Sequence, residues 1–299
     1  MIGILGAYGD VGTHAVRMLQ GHDLRLGCRR SGVDFHDQAS LDRFAAGCRI
    51  VVNCAGPAHL VGDRVLRAAE RAGADYVDAS GDVTPFAGTA VVGAGLQPGL
   101  TGLLPRWVGS DELTLYLGVL DRFTETAAAD YLYGVNSPLA AWRDGPVPRA
   151  LTRRSGVTLP FFPGEVTLLP YLDAEACRIA EQLKLRRGDW YTAVSGEHVL
   201  RAFDRLHGME RAEAVPALCR ASRLDLAGRE PHVVLAVETT GRTVVLRGRS
   251  NGELTGTVVA LAVEAVDRGE VPPGCHHASD VLDPSIVEQL LDRVEEGAL

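Results

Sequence analysis

Glycines at positions 6, 9 and 12 follow the apolar run 2–5 and lead into Val11, Ala15, Met18 and Leu19, which recur at helical spacing. Strand, tight turn and helix start are the elements this stretch encodes. A pyrophosphate needs such a place, because it must approach the backbone closely and lie against the unpaired N–H groups and positive end of a helix. In that reading Gly6 makes the turn, Gly9 leaves room for the phosphates and Gly12 lets the helix pack on its strand. Ala7, Tyr8, Asp10 and Val11 complete the loop. The spacing is G-x-x-G-x-x-G, and a glycine triplet alone also suits an ordinary βα turn. Its place between strand and helix at the head of a strand–helix alternation is what favours a dinucleotide.

A second strand over 24–28 runs into Arg29-Arg30-Ser31. About twenty positions beyond the glycine turn, the residue facing the adenosine ribose is acidic where NAD is preferred. Here it is arginine. A guanidinium takes a phosphate in bidentate fashion and stacks on a base, so Arg29 and Arg30 point to NADP, with a solvated arginine pair as the plain alternative.

The β-branched run 50–54 reads as a fully buried parallel strand and ends in Asn53-Cys54-Ala55-Gly56-Pro57, followed by His59. Ligands of open α/β sheets bind beyond the carboxyl ends of the strands, which places Asn53, Ala55, Gly56 and Pro57 along the cofactor. Residues 75–82, Asp-Tyr-Val-Asp-Ala-Ser-Gly-Asp, form another strand running into a polar turn, with Ser80 and Gly81 expected at the cofactor and Asp82 beyond them. A short third strand over 33–35, a helix over 40–46 capped by Ser40, a helix over 61–72 with 61, 65, 68, 69 and 72 on one face, and a strand over 90–92 fill in the alternation. The fold class is α/β, a Rossmann doubly wound parallel sheet with an inserted α+β domain for substrate binding and dimerisation.

Gly-Ala-Tyr-Gly-Asp-Val-Gly at 6–12, Val-Asn-Cys-Ala-Gly-Pro at 52–57, Asp-Tyr-Val-Asp-Ala-Ser-Gly-Asp at 75–82 and Gly-Ala-Gly-Leu-Gln-Pro-Gly-Leu at 93–100 together resemble the saccharopine dehydrogenase-like NAD(P)-dependent reductases. The resemblance spans residues 1 to about 125 and the segment after Gly252. It implies a Rossmann domain, an inserted substrate domain and chemistry at a carbon–nitrogen bond. One departure stands out. Members of that family carry a full helix between the Val-Asp-Ala-Ser-Gly-Asp turn and the next strand, whereas only 83–89, with Pro85 and Gly88, lies there in this chain. A parallel connection ordinarily needs a dozen or more residues, so an irregular strand or a remodelled sheet edge is expected.

From Glu112 the pattern changes to period two, with Leu113, Leu115 and Leu117 alternating with Thr114 and Tyr116 as in a half-buried antiparallel strand. Further strands are expected over 157–159, 232–238 and 242–248, the last two as a hairpin through Thr240-Gly241, and helices over 173–185 and 196–207. An apolar helix over 258–266 and an amphipathic one starting at Asp283-Pro284 should return the tail to the first domain. The expected domains are 1–112 plus about 253–299, and 113–252.

Net charge of −8 and the absence of any basic run longer than Arg-Arg argue against nucleic acid. No charged leader or span-length apolar stretch is visible, so a cytoplasmic protein without membrane contact is expected. Six scattered cysteines without a C-x-x-C pair suit reduced thiols. Cys275-His276-His277 has no second ligand cluster, and no metal is expected.

A hydride-transfer enzyme needs a bound donor, a substrate held across it and, in some cases, an acid. His59 is the first candidate acid, since imidazole titrates near neutrality. Asp82, Asp121 and Tyr171 join it, with Tyr131, Tyr133, Asn136 and Glu165 behind. Lys184 is the sole lysine and no Tyr-x-x-x-Lys pair exists, which disfavours one class of ketone reductase and suits an imine, already electrophilic. The leading reading is an NADPH-dependent reductase of an imine, Schiff base or thiazoline-like ring on a small carboxylate-bearing substrate. A trans-acting enoyl reductase and a non-catalytic NADP-binding sensor or assembly protein are the alternatives. The alternating strands of the middle block leave one sheet face to meet substrate or a second copy, so a homodimer is expected. Light scattering at micromolar concentration should report twice the chain mass; a monomer removes the dimer.

Overall fold

A computed structural model describes residues 1–134 and 140–297 and divides the chain into two units, Met1–Leu103 with Gly252–Ile286, and Leu104–Asn251 with Val287–Leu299.

In the first unit, β1 (Ile2–Leu5) leads into α1 (Asp10–Met18), and β2 (Leu24–Gly27) pairs with β1 in parallel. The third strand expected over 33–35 does not form. Asp34 instead accepts the His36 amide at 2.9 Å in a local turn, its own amide donates to Ser40 Oγ at 3.2 Å, and Phe35 drops into the core. That makes Ser40 a loop clamp rather than a helix cap. Helix α2 (Gln38–Ala45) is capped by Asp37, whose carboxylate accepts the Ala39 amide at 3.0 Å.

Strand β3 (Ile50–Asn53) is buried throughout, as its β-branched run requires. The helix expected over 61–72 is two pieces, α3 (Ala58–Val61) and α4 (Arg64–Ala72), because Gly62 at φ 55°, ψ −140° breaks the helical path. Strands β4 (Asp75–Asp78) and β5 (Thr89–Val92) are parallel, with Tyr76 opposite Ala90, and no helix joins them. Phe86 fills the gap by packing into the core. Arg67 holds the Pro85 carbonyl at 3.0 Å, and Glu70 accepts the Ala87 amide at 3.1 Å. Helix α5 (Leu100–Val108) follows.

The second unit is built on a mixed sheet. Strand β6 (Glu112–Leu120), expected to be half-buried, is a central strand buried on both faces, antiparallel to one neighbour and parallel to the other. After α6 (Glu125–Gly134) come β7 (Ala140–Arg143), β8 (Pro146–Pro148), β9 (Arg154–Val157) and β10 (Val166–Pro170). Helix α7 (Ala174–Leu183) starts on Asp173, which accepts the Ala176 amide at 2.8 Å, and ends on Lys184 in a left-handed conformation. Then follow β11 (Arg187–Val194), α8 (Glu197–Arg205), α9 (Arg211–Leu226), β12 (His232–Thr239) and β13 (Arg242–Gly248). The last two form the expected hairpin, with Gly241 at φ 83° in its turn.

Helix α10 (Asn251–Asp267) is buried along nearly its whole length and packs closely on α1. A Cβ on Gly256 would lie 2.7 Å from the Val11 carbonyl oxygen, and one on Gly252 2.6 Å from the Asp10 carboxyl. Strand β14 (Gly274–His277) pairs in parallel with β5 and is followed by α11 (Ala278–Val281). The amphipathic tail is a 3-10 run, Pro284–Arg293, and β15 (Val294–Gly297) pairs with β13. The tail expected to belong wholly to the first domain is therefore split, because β15 hydrogen-bonds to the second sheet.

The first sheet has the order β14-β5-β4-β3-β1-β2, all parallel, and the second runs β15-β13-β12-β6-β11-β10-β9. No helix among the described residues is long and apolar enough to cross a membrane.

Candidate dinucleotide site at the strand ends of the first unit

The direction of connection reverses between β1 and β3, which makes their carboxyl ends a switch point, the usual ligand crevice of such sheets. Gly6 stands there at φ 77°, and a Cβ on it would lie 2.6 Å from the carbonyl carbon of Cys54. The loops after β1 and β3 therefore touch backbone to backbone. The amides of Gly6 and Ala7 both donate to the Gly27 carbonyl, at 2.8 and 3.3 Å, which ties the end of β2 to the same turn.

Gly9 is the N-cap of α1, extended at φ −79°, ψ 179°, with no side chain capping the helix. A Cβ there would meet only Gly6 O, at 3.2 Å, so the loop itself does not require glycine at this position. Gly12 differs. A Cβ on it would lie 2.8 Å from the Ala7 Cα and closer still to Gly6 O, so it is the helix–strand packing position the motif anticipates. Ala7 is buried, Val11 half-buried, Asp10 exposed beside Gly252, and Tyr8 projects with 66% of its surface in solvent.

Arg29 and Arg30 lie in a 3-10 turn, Arg29–Ser31, directly after β2, and both are exposed. The turn is fixed by Ser31, whose hydroxyl accepts the Cys28 amide at 2.9 Å.

At the ends of β3 and β4, Asn53 and Ser80, both expected along the cofactor, join Tyr76 and Asp78 in a polar cluster, and Asn53 is buried within it. Asp78 is buried and accepts four donors: Asn53 Nδ2 at 3.0 Å and Tyr76 Oη at 2.5 Å on Oδ2, and the Ser80 amide at 2.9 Å and hydroxyl at 3.2 Å on Oδ1. Asn53 in turn accepts the Ala55 amide at 3.1 Å. Burial raises the Asp78 carboxyl above its ordinary range, against the pull of these donors, and pushes the Tyr76 phenol far up. The period-two spacing of Tyr76 and Asp78, which puts both on one face of an otherwise apolar strand, was the available signal.

Ala55, Gly56 and Pro57 line the half-exposed turn after β3, and Ser80 and Gly81 the turn after β4, Gly81 at φ 87°. Across β2, β1, β3 and β4, three strand spacings of about 4.8 Å give a crest roughly 14 Å long. Along it the arginines, the glycine turn, the 54–57 turn and Ser80–Gly81 stand in sequence.

The four catalytic candidates are divided. His59, half-buried in the first turn of α3, and Asp82, exposed beyond Gly81, belong to the first unit. Asp121 and Tyr171 belong to the second. Asp121 accepts the Arg122 amide at 2.7 Å and the Asn251 amide at 3.0 Å, so its carboxylate caps the start of α10. Tyr171 is buried, its hydroxyl has no hydrogen-bond partner among the described residues, and burial holds the phenol protonated. Among the lesser candidates, Tyr131 stacks on Phe203 in a core cluster, with its phenol pushed up to about 12 by burial. Tyr133 lies under Arg211, Glu165 is exposed, and Asn136 falls outside the described residues.

No protein-family model matches the sequence, and no curated protein sequence does either. Among solved structures, apo saccharopine dehydrogenase (L-Glu forming) from Saccharomyces cerevisiae matches 100% of this chain and 99% of its own at 16% identity, with a TM-score of 0.63. The fold is that of saccharopine dehydrogenase. Two other matches are the NADPH-dependent quinone oxidoreductase QOR2 of Escherichia coli in complex with NADPH and the WlbA dehydrogenase of Bordetella pertussis in complex with NADH and UDP-GlcNAcA. The first has 12% identity, 89% of this chain, 100% of that one and TM-score 0.30; the second has 10%, 100%, 98% and 0.39. The saccharopine dehydrogenase-like fold thus extends over both units.

Asp78→Ala should destabilise the protein by roughly 2–4 kcal/mol, since it strands the Asn53 amide and Tyr76 hydroxyl in the interior. The sign with pH follows from the raised native pKa. Wild-type stabilisation by Asp78 is fullest below the ordinary aspartate range and falls as pH rises through the native value. Denaturant unfolding at several pH values should therefore show the wild-type advantage shrinking from acid towards neutral pH.

Proposed function

We propose that this chain is an NADPH-dependent oxidoreductase that reduces a carbon–nitrogen double bond in a small, carboxylate-bearing substrate. The observation that carries the cofactor assignment is the crest across β2, β1, β3 and β4, where an uncapped helix start meets a turn with space at Gly9. A pyrophosphate fits there: the α1 amides supply donors and the helix end supplies partial positive charge. Arg29 and Arg30 would take the 2'-phosphate, and no acidic residue stands at that strand end to accept the ribose hydroxyls of NADH. The 54–57 turn and Ser80–Gly81 would hold the nicotinamide half.

When bound, the dinucleotide supplies a hydride. The chain's own residues orient it and exclude water. Asn53 keeps the 54–57 turn in register through Ala55, and Asp78 fixes Asn53 and Ser80 together. An imine suits this site because it is electrophilic without a strong positioned acid, and the single lysine, Lys184, rules out a Tyr-x-x-x-Lys pair. The saccharopine dehydrogenase named above, whose fold this chain shares, supports the same chemistry by analogy.

NADPH should bind more tightly than NADH in a fluorescence titration, and replacing Arg29 and Arg30 by alanine should weaken NADPH about tenfold or more while leaving NADH unchanged. A double variant that keeps the preference puts the phosphate site elsewhere. Gly9→Val should keep a near wild-type melting temperature yet lose NADPH binding. Full affinity in that folded variant removes the crest as the site, and NADPH oxidation with a panel of cyclic imine carboxylates tests the reaction.

A further inference from the structure

We propose that the second unit binds a small aliphatic α-amino acid in the cleft between the end of α7 and the turn that joins β7 to β8. The site is independent of the dinucleotide reading, since every residue of it belongs to the second unit.

The cleft measures about 260 Å³, which suits a molecule smaller than the usual occupant of a cofactor pocket. Its floor is apolar. Trp142, Ala180 and Leu185 are buried there, and the Trp142 indole N–H donates to the Leu185 carbonyl at 2.7 Å, which leaves only the hydrocarbon of the ring for a ligand. The same hydrogen bond ties the end of β7 to the segment after α7. A second tie lies close by, from the Asp144 amide to the Arg186 carbonyl at 3.0 Å. The two walls are therefore locked to each other.

The rim carries charges of both signs, Asp144 from the turn and Glu181 and Lys184 from the end of α7, all of them exposed. Among the described residues, no ion pair or side-chain hydrogen bond engages any of the three, although they border one cleft. Arg186 is near enough for its charge to act on Asp144, but its own bonds go to Asp111 at 2.8 Å and Glu112 at 2.9 Å. The backbone adds a second sign. Asp144 and Lys184 both stand at φ 53°, the left-handed region that glycine occupies most cheaply. Lys184 ends α7, a place more often filled by glycine or asparagine, so a long cationic side chain sits at a conformational cost on the edge of this cleft.

The mixed rim selects by repulsion as well as attraction. A simple anion meets two carboxylates, and a simple cation meets Lys184. A molecule with an ammonium and a carboxylate on one carbon can set the first against Asp144 and Glu181 and the second against Lys184. Its side chain then covers the Trp142 floor. A free α-amino acid with an aliphatic side chain has that form.

The test uses the full chain without NADPH. Lys184 is the sole lysine, so growth on lysine labelled with carbon-13 at Cε places one reporter in the chain, at the site itself. Titration with L-leucine should move this resonance saturably at millimolar ligand. Isoamylamine, which lacks the carboxylate, and 4-methylpentanoate, which lacks the ammonium, should each bind about fivefold or more weakly. Asp144→Asn combined with Glu181→Gln, both at exposed positions, should keep the melting temperature and abolish the advantage of leucine over 4-methylpentanoate. A leucine titration without a saturable shift, an amine that binds as well as leucine, or a double variant that keeps the full preference overturns the proposal. If the double variant does not fold, the three-ligand comparison on the wild type still decides, and because no NADPH is present, a failure here is separate from a failure of the dinucleotide site.

Discussion

A carboxylate removed from water sets the geometry of the first unit. Burying an ionised group costs several kcal/mol unless it is well hydrogen-bonded, and the four donors converging on Asp78 offset that cost only when Tyr76, Asn53 and Ser80 are all in place. Each partner is then constrained in turn. Asn53 can serve Asp78 only with its carbonyl turned to Ala55, which shapes the turn after β3. That turn is the surface against which Gly6 must fit without a Cβ, so the glycine loop inherits its position from a buried carboxyl two strands away.

Much of this framework is legible in the sequence, for a physical reason. Strands β1 and β3 are short, β-branched and buried on both faces, so composition alone betrays them, and glycines with forced contacts mark the turns between them. For Asp78 the sequence carries only the period-two spacing with Tyr76, a weak signal because a carboxylate in a strand ordinarily marks a solvated face. Its burial depends on partners whose convergence is tertiary. The same holds for β11, whose opening Arg-Gly-Asp carries no strand pattern. Asp189 there is buried only because Arg143 meets it at 2.7 Å and Arg187 at 3.3 Å, an arrangement no local pattern announces.

Other differences come from local conformation overruling periodicity. The helical stripe over 61–72 is real, since Val61, Val65, Ala68 and Ala69 are all buried, yet Gly62 divides the helix. Helix α9 leaves no clear periodic stripe in the sequence because Pro216 and mixed polarity blur it. In the second unit the hairpin is evident from its turn, while the packing of Phe162 on the sheet depends on Gly118 of β6, a position that reads as nothing more than a small residue in a strand.

The late strand β14 has a consequence for how the chain comes to be built. Its pairing with β5 joins residues 274–277 to 89–92, and α10 covers α1 from still farther along the chain. During synthesis the first five strands and α1 emerge long before either cover exists. A parallel edge and an apolar helix face therefore wait through the making of an entire second sheet. Completion of the first unit is coupled to the arrival of residues 252–277. Ribosome stalling or truncation before that point leaves a half-covered sheet, the kind of surface that recruits chaperones or aggregates, even though every residue of the glycine turn is already present.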